Sequence, residues 1–187
     1  GTVLLETAIT LILLAMVLKA HRRTLRSLGL RWEEWKTEMR IGLAIVPFLF
    51  LVNVLVMGGL RVFLPSHAPE HNPLMDLIRS PGQLGLFVLS ALVAGGIKEE
   101  LQRAFIITRF HEQLGGARLG LVLWSIAFGA GHYLQGLAGV LVAGILGFIF
   151  GAVYLLRGSI VAPMVAHGLY NTLSLIGYWV ISLSAGR

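Results

Sequence analysis

Glu99 and Glu100 stand side by side in an otherwise apolar run, and His132 and His167 stand inside two more. Carboxylates and imidazoles at bilayer depth are costly, so they mark places where chemistry or transport happens. A carboxylate in a low-dielectric pocket can serve as a general base near neutral pH. Paired with a histidine, it could take a proton from water and direct that water at an amide carbonyl. A second histidine and the amide of Asn171 offer donors where an oxyanion would develop. This is a hydrolase layout, with peptide as the natural substrate of a membrane cavity.

Six apolar stretches are available to carry these groups, at residues 3–19, 41–63, 83–110, 118–135, 138–156 and 159–183. Each is near the roughly 20 residues that cross a bilayer. At about 1.5 Å per residue, Glu99 lies about 20 Å from the inner end of the third stretch and His132 about 21 Å from that of the fourth. On the same count Asn171 lies about 18 Å into the sixth, with His167 one turn shallower at about 12 Å. Acids, imidazoles and an amide from three helices thus converge on one layer. Within the third stretch, Glu99 and Arg103 are spaced to share a helix face, and Glu100 points about 100° away. A structural ion pair with Lys98 or Arg103 would explain the acids alone. The two histidines at matching depth favour a cavity site.

The composition agrees with a lipid-embedded chain of 187 residues, 56% hydrophobic and 13% charged, with a mean hydropathy of +0.81. Cysteine is absent, which removes disulfides, thiolate metal sites and a cysteine nucleophile together. The net charge of +6 does not argue for nucleic acid, because seven of the fifteen Lys and Arg residues lie between Lys19 and Arg40, beside apolar spans. That segment reads as a cytoplasmic, lipid-facing loop. The turns near 109–118 and at Arg157 fall on the same side, and the proline-rich linker 64–82 and the carboxyl-terminal end lie opposite. The linker is too polar to span, with a short helix expected around 75–78. The first apolar run, 7–17, is followed by basic residues rather than a small-residue cleavage site, and reads as a retained span. The expectation is one all-α polytopic membrane domain over 1–187, of about six transmembrane helices with a polar active-site layer inside the bundle. Ala143, Gly147 and Gly151 recur every four residues, a pattern that permits close helix packing within the bundle.

Several other intramembrane chemistries are excluded or weakened. Asp76 is the only aspartate, so a two-aspartate protease is impossible. His111-Glu112 is followed by Gly115 where a zinc protease of the His-Glu-x-x-His type needs its second histidine, and no Gly-x-Ser-Gly occurs. A zinc site made of Glu99 or Glu100, His132 and His167 has acceptable ligand types but no short-range ligand spacing. A proton-coupled transporter would want discontinuous helices in paired halves, and no such pair is visible.

Glu99-Glu100-x-x-Arg103, then Phe128-x-x-x-His132, then His167-x-x-x-Asn171, in that order on successive apolar helices, resembles the CAAX protease and bacteriocin-processing family, also called the Abi family. The resemblance covers residues 83–180, leaving 1–82 as two additional spans and the proline-rich loop. It implies a metal-independent intramembrane glutamyl endopeptidase, without cofactor, in which a glutamate of the first motif and His132 activate water. His167 and Asn171 would stabilise the oxyanion, Arg103 and the other glutamate would support, and Phe128 would pack beside the site. The arginine departs from the family pattern by following the second glutamate at three residues rather than four. Glu99 and Glu100 therefore both stand as candidate bases. The resemblance also implies a bacterial inner-membrane protein with a peptide or protein substrate, reached from the membrane or the cytoplasmic side, lipid as its surroundings and no nucleic-acid partner. The alternatives are a non-catalytic immunity or scaffolding protein of the same family and a zinc-dependent membrane protease. Oligomeric state is not legible.

Overall fold

The computed structural model describes residues 2–31, 33–67 and 73–184. Among them there is no strand, and the architecture is that of an all-α membrane protein. The helices are α1 (Thr2–Ala20), α2 (Trp35–Phe63), α3 (Pro81–Ser90), α4 (Glu100–Gln113), α5 (Ala117–Ala130), α6 (Gly136–Arg157) and α7 (Val161–Ser184). By length and composition, Thr2–Ala20, Trp35–Phe63 and the run Tyr133–Arg157 can each cross a membrane. The expected short helix in the linker is a 3₁₀ turn at Pro73–Leu77, and it packs on another at Tyr133–Gln135.

Local chemistry explains where these elements start and stop. Ser80 caps α3 by accepting from the Gln83 backbone N–H at 3.3 Å, and Pro81 occupies the first turn, where its missing N–H costs nothing. Gly158 ends α6 in the left-handed conformation, at φ +60°. Between α3 and α4 the chain does not break. Residues Ala91–Glu99 continue as a π-helix, so 81–113 form one rod. Such segments are rare and concentrate at functional positions, and this one ends on Glu99.

The fourth apolar stretch is not helical throughout, as 118–135 would require. Helix α5 stops at Ala130, about 21 Å long and short of the roughly 30 Å hydrocarbon core. Near its end α5 crosses α6 closely: a Cβ on Gly129 would stand 2.7 Å from the Val140 carbonyl oxygen and 3.0 Å from the Gly144 Cα. The chain turns from α5 into α6 over residues 131–135. Its backbone is satisfied locally, His132 N–H donating to the Gly129 carbonyl and Gln135 N–H to that of His132, both at 2.9 Å.

Two apolar clusters hold the bundle. Leu14, Leu18, Leu28, Leu101, Ala104 and Ile160 fill the half beside the basic loops, and Leu49, Leu146, Phe150, Ala166 and Tyr170 join α2, α6 and α7. At the basic end, Arg157 donates to fully buried Glu38 from Nη2 at 2.7 Å and from Nε at 3.1 Å, tying α6 to α2. The small-residue stripe packs inside the bundle, Gly147 against the Phe128 ring and Gly151 against Leu121 and Arg103.

Gly96 sets how closely α7 approaches the π segment, because a Cβ there would lie 3.3 Å from both the Gly168 Cα and the Met164 carbonyl oxygen. Neither backbone atom can yield as a side chain would. Gly96→Val is expected to destabilise the protein by about 1–3 kcal/mol. Thermal unfolding in detergent, followed by circular dichroism, checks this; an unshifted midpoint would show that the two elements separate freely.

Candidate active site

The π segment and α7 are the frame on which the polar residues meet. Gly95 has no side chain where a Cβ would stand 2.7 Å from Asn171 Nδ2 and 3.4 Å from His167 Nε2, so both α7 side chains lie directly against the π segment. Gly95 and Gly96 carry no titratable group, and sequence reasoning passed over them. Their signal is that a glycine pair immediately precedes the charged motif.

Two residues later the chain presents Lys98, Glu99 and Glu100 in three directions. Lys98 is buried and donates to Glu6 of α1 at 3.2 Å, with Glu99 Oε1 at 3.7 Å on its other side. Glu99 faces a cavity. Glu100 turns into the protein, 1% exposed, where it pairs with Arg103 and accepts a hydrogen bond from His167 Nδ1 at 2.7 Å. Arg103 and Glu100, three residues apart, lie one turn from each other on α4, so of the two acids it is Glu100 that the arginine neutralises.

Arg103 has no exposed surface at all. Its guanidinium carbon lies 4.8 Å from the centroid of the Phe128 ring and 5.4 Å from that of Phe150. Its Nε and Nη2 meet no hydrogen-bond acceptor, so the aromatic faces are the remaining electrostatic company of the charge. Phe150 also stacks on His167, with centroids 4.6 Å apart and planes at 18°, while Phe128 meets that imidazole edge-on at 6.1 Å. Phe128 thus packs beside the polar groups. Phe150 was not foreseen, since nothing distinguishes one more phenylalanine on an apolar helix.

The hydrogen bonds fix how the imidazoles present themselves. His132 Nδ1 lies 2.8 Å from the Phe128 carbonyl, which can only accept, so this nitrogen carries a proton, and in the neutral ring the lone pair is on Nε2. His167 Nδ1 donates to Glu100, leaving Nε2 on the side of Glu99, 3.7 Å from Oε2. Glu99, His132, His167 and Asn171 all line one cavity of about 800 Å³, with Phe128 and Phe150. Its remaining wall is mostly apolar. Glu100 and Arg103 do not line it, and this separates two groups that the sequence left equivalent. Among the described residues no three His, Asp or Glu side chains cluster closely enough to hold a metal ion.

Set beside known proteins, residues 80–173 match the family model described as type II CAAX prenyl endopeptidase Rce1-like. The match spans all three motifs and half of the chain. Neither the curated proteins nor the solved structures yield a match.

The buried ion pair makes a stability prediction. Arg103→Met would strand Glu100 in the protein interior, and removing one partner of such a pair costs about 3–5 kcal/mol. Arg103→Lys should recover little of this, because an ammonium cannot lie flat between two rings. The yield of folded protein and its thermal midpoint in detergent report both; a lysine variant as stable as the parent would reduce the role of the guanidinium to charge alone.

Proposed function

The chain belongs to the Rce1-like family of type II CAAX prenyl endopeptidases, an integral-membrane peptidase family, and on that premise we propose that it hydrolyses peptide bonds inside the membrane with Glu99 as the base. The observation that carries the choice is the division of labour between the paired acids. Glu99 lines the cavity, whereas Glu100 is sequestered against Arg103 and His167.

In this reading a water held between Glu99 and the lone pair of His132 Nε2 gives its proton to the Glu99 carboxylate as its oxygen adds to the amide carbon. The tetrahedral oxyanion forms beside Asn171 Nδ2 and His167 Nε2. A neutral His167 with its proton on Nδ1 would meet that oxyanion with a lone pair, so the donating form is the imidazolium. The carboxylate of Glu100 balances that charge from the opposite ring nitrogen. The proton on Glu99 then passes to the amide nitrogen, the C–N bond breaks, and an amine and a carboxylic acid leave. Arg103 and Phe150 act through Glu100 and His167, as positioning residues. No metal enters the sequence. The chain works as a single membrane unit over 1–187, since α1 and α2 supply part of the cavity wall through residues such as Thr2, Asn53 and Met57. A bacterial cytoplasmic membrane, with the 19–40 loop on the cytoplasmic side, is the setting proposed for it.

Purified protein incubated with a peptide library, with cleavage read by mass spectrometry, tests the peptidase reading. Glu99→Gln should lose on the order of 100-fold or more in kcat/KM while keeping its thermal midpoint, and His132→Ala should lose activity similarly. Glu100→Gln should lose activity and stability together, because it removes the counter-charge of Arg103. Parental turnover by Glu99→Gln would eliminate it as the base. Activity should also survive exhaustive chelation. Stoichiometric zinc, with activity lost on its removal and restored by its return, would instead make Glu99, His132 and His167 ligands.

A further inference from the structure

Lys98 is a buried cation, 7% exposed, standing between two carboxylates. Its ammonium donates to Glu6 Oε1 of α1 at 3.2 Å and lies 3.7 Å from Glu99 Oε1. The second oxygen of Glu99, Oε2, is 3.7 Å from His167 Nε2. The carboxylate that lines the cavity is thus flanked by a lysine on one oxygen and a histidine on the other. The lysine hydrogen-bonds to the distant acid and not to its neighbour in the chain.

The charges of this region balance only when Lys98 is counted. Glu6, Glu99 and Glu100 are three anions, and Lys98, Arg103 and the imidazolium form of His167 are three cations. Arg103 is committed to Glu100, and His167 donates to the same carboxylate. Among the described residues, Lys98 is then the permanent cation that pairs with Glu99. An anion facing a mostly apolar cavity is costly without such a partner. Glu6 supplies a restraint. A lysine free to swing would close onto the adjacent carboxylate, and a carboxylate hydrogen-bonded to an ammonium is a poorer acceptor of a proton from water. Held by Glu6, the ammonium stays near Glu99 but beyond hydrogen-bond distance.

We propose that Lys98, tethered by Glu6, is a positioning residue for Glu99. It holds the base as a carboxylate turned to the cavity and leaves its oxygens free to take a proton. The proposal rests on the peptidase reading for what Glu99 does, while the Glu6–Lys98–Glu99 geometry stands without it. It also gives α1 a part in the reaction. That helix packs on the π segment carrying Lys98, and Leu14 and Leu18 anchor its second half in the core. The setting of the base therefore depends on a carboxylate that lies more than ninety residues away in the chain.

Lys98→Met keeps the side-chain length and strands no buried acid, because Glu6 is largely exposed. Its kcat should fall roughly 10- to 100-fold, with KM and the thermal midpoint in detergent close to parental. Glu6→Gln should also lower kcat, by releasing the lysine onto Glu99. Lys98→Met combined with Glu6→Gln should be no slower than Lys98→Met alone, since Glu6 acts through the lysine. The infrared carboxylate stretch of Glu99, isolated by subtracting the matching Glu99→Gln spectrum, reads the pair without turnover. It should move in Lys98→Met and in Glu6→Gln. Should Lys98→Met fail to fold, Glu6→Gln carries the test from an exposed position. Parental kcat in the single variants, additive losses in the combined one, or an unmoved Glu99 band overturns the proposal. An unmoved band beside Glu99-dependent cleavage removes the role of Lys98 alone, and a band that moves in a protein that cleaves nothing removes the peptidase reading alone.

Discussion

A fully buried arginine is the constraint around which this molecule is arranged. Arg103 cannot reach water, so Glu100 must lie beside it, and a carboxylate so placed must itself be hydrogen-bonded. His167 provides that bond from a different helix, and Phe128 and Phe150 close over the cation from two more. One charge thereby links α4, α5, α6 and α7. Whatever the catalytic role of the neighbouring groups, their relative positions follow from satisfying this charge in a medium that offers it nothing else.

The second requirement is proximity, and glycine meets it. Gly95 and Gly96 bring α7 onto the π segment, Gly129 and Gly144 bring α5 onto α6, and Gly147 makes room for the Phe128 ring. Between membrane helices there is little hydrophobic drive, and small residues are what permit backbones to approach. In this protein the same glycines that pack the bundle also fix the distances between acid, imidazole and amide. Packing and site are one problem here.

The bundle is filled at its basic end and hollow at the other, and the π segment falls at the boundary between the two. Its last residue, Glu99, faces the hollow, while the next residue begins an ordinary α-helix and faces the interior. Adjacent positions on a helix point about 100° apart, so one glutamate faces the cavity and the other meets only protein.

The membrane made much of this legible in sequence. A polar residue in an apolar run is expensive, so Glu99, Glu100, Arg103, His132, His167 and Asn171 stood out without any structure, and counting residues along each run placed them near one depth. The helical class, the inward packing of the glycine stripe and the family resemblance were available on the same grounds. What the sequence did not contain was direction. Spacing put Glu99 on the helix face of Arg103 and left the arginine's partner open, and in the structure that partner is Glu100. The apolar run through 118–135 read as a full span, and α5 ends at Ala130 with a turn at 131–135 before α6. Phe150, the Lys98–Glu6 pair and the Glu38–Arg157 pair join residues far apart in the chain, and each member looks ordinary in its own segment. Hydropathy is a property of each residue, and so it survives in the sequence. Which face a residue turns to, and what it meets there, depends on helical winding and on the approach of other helices, and only the tertiary structure decides it.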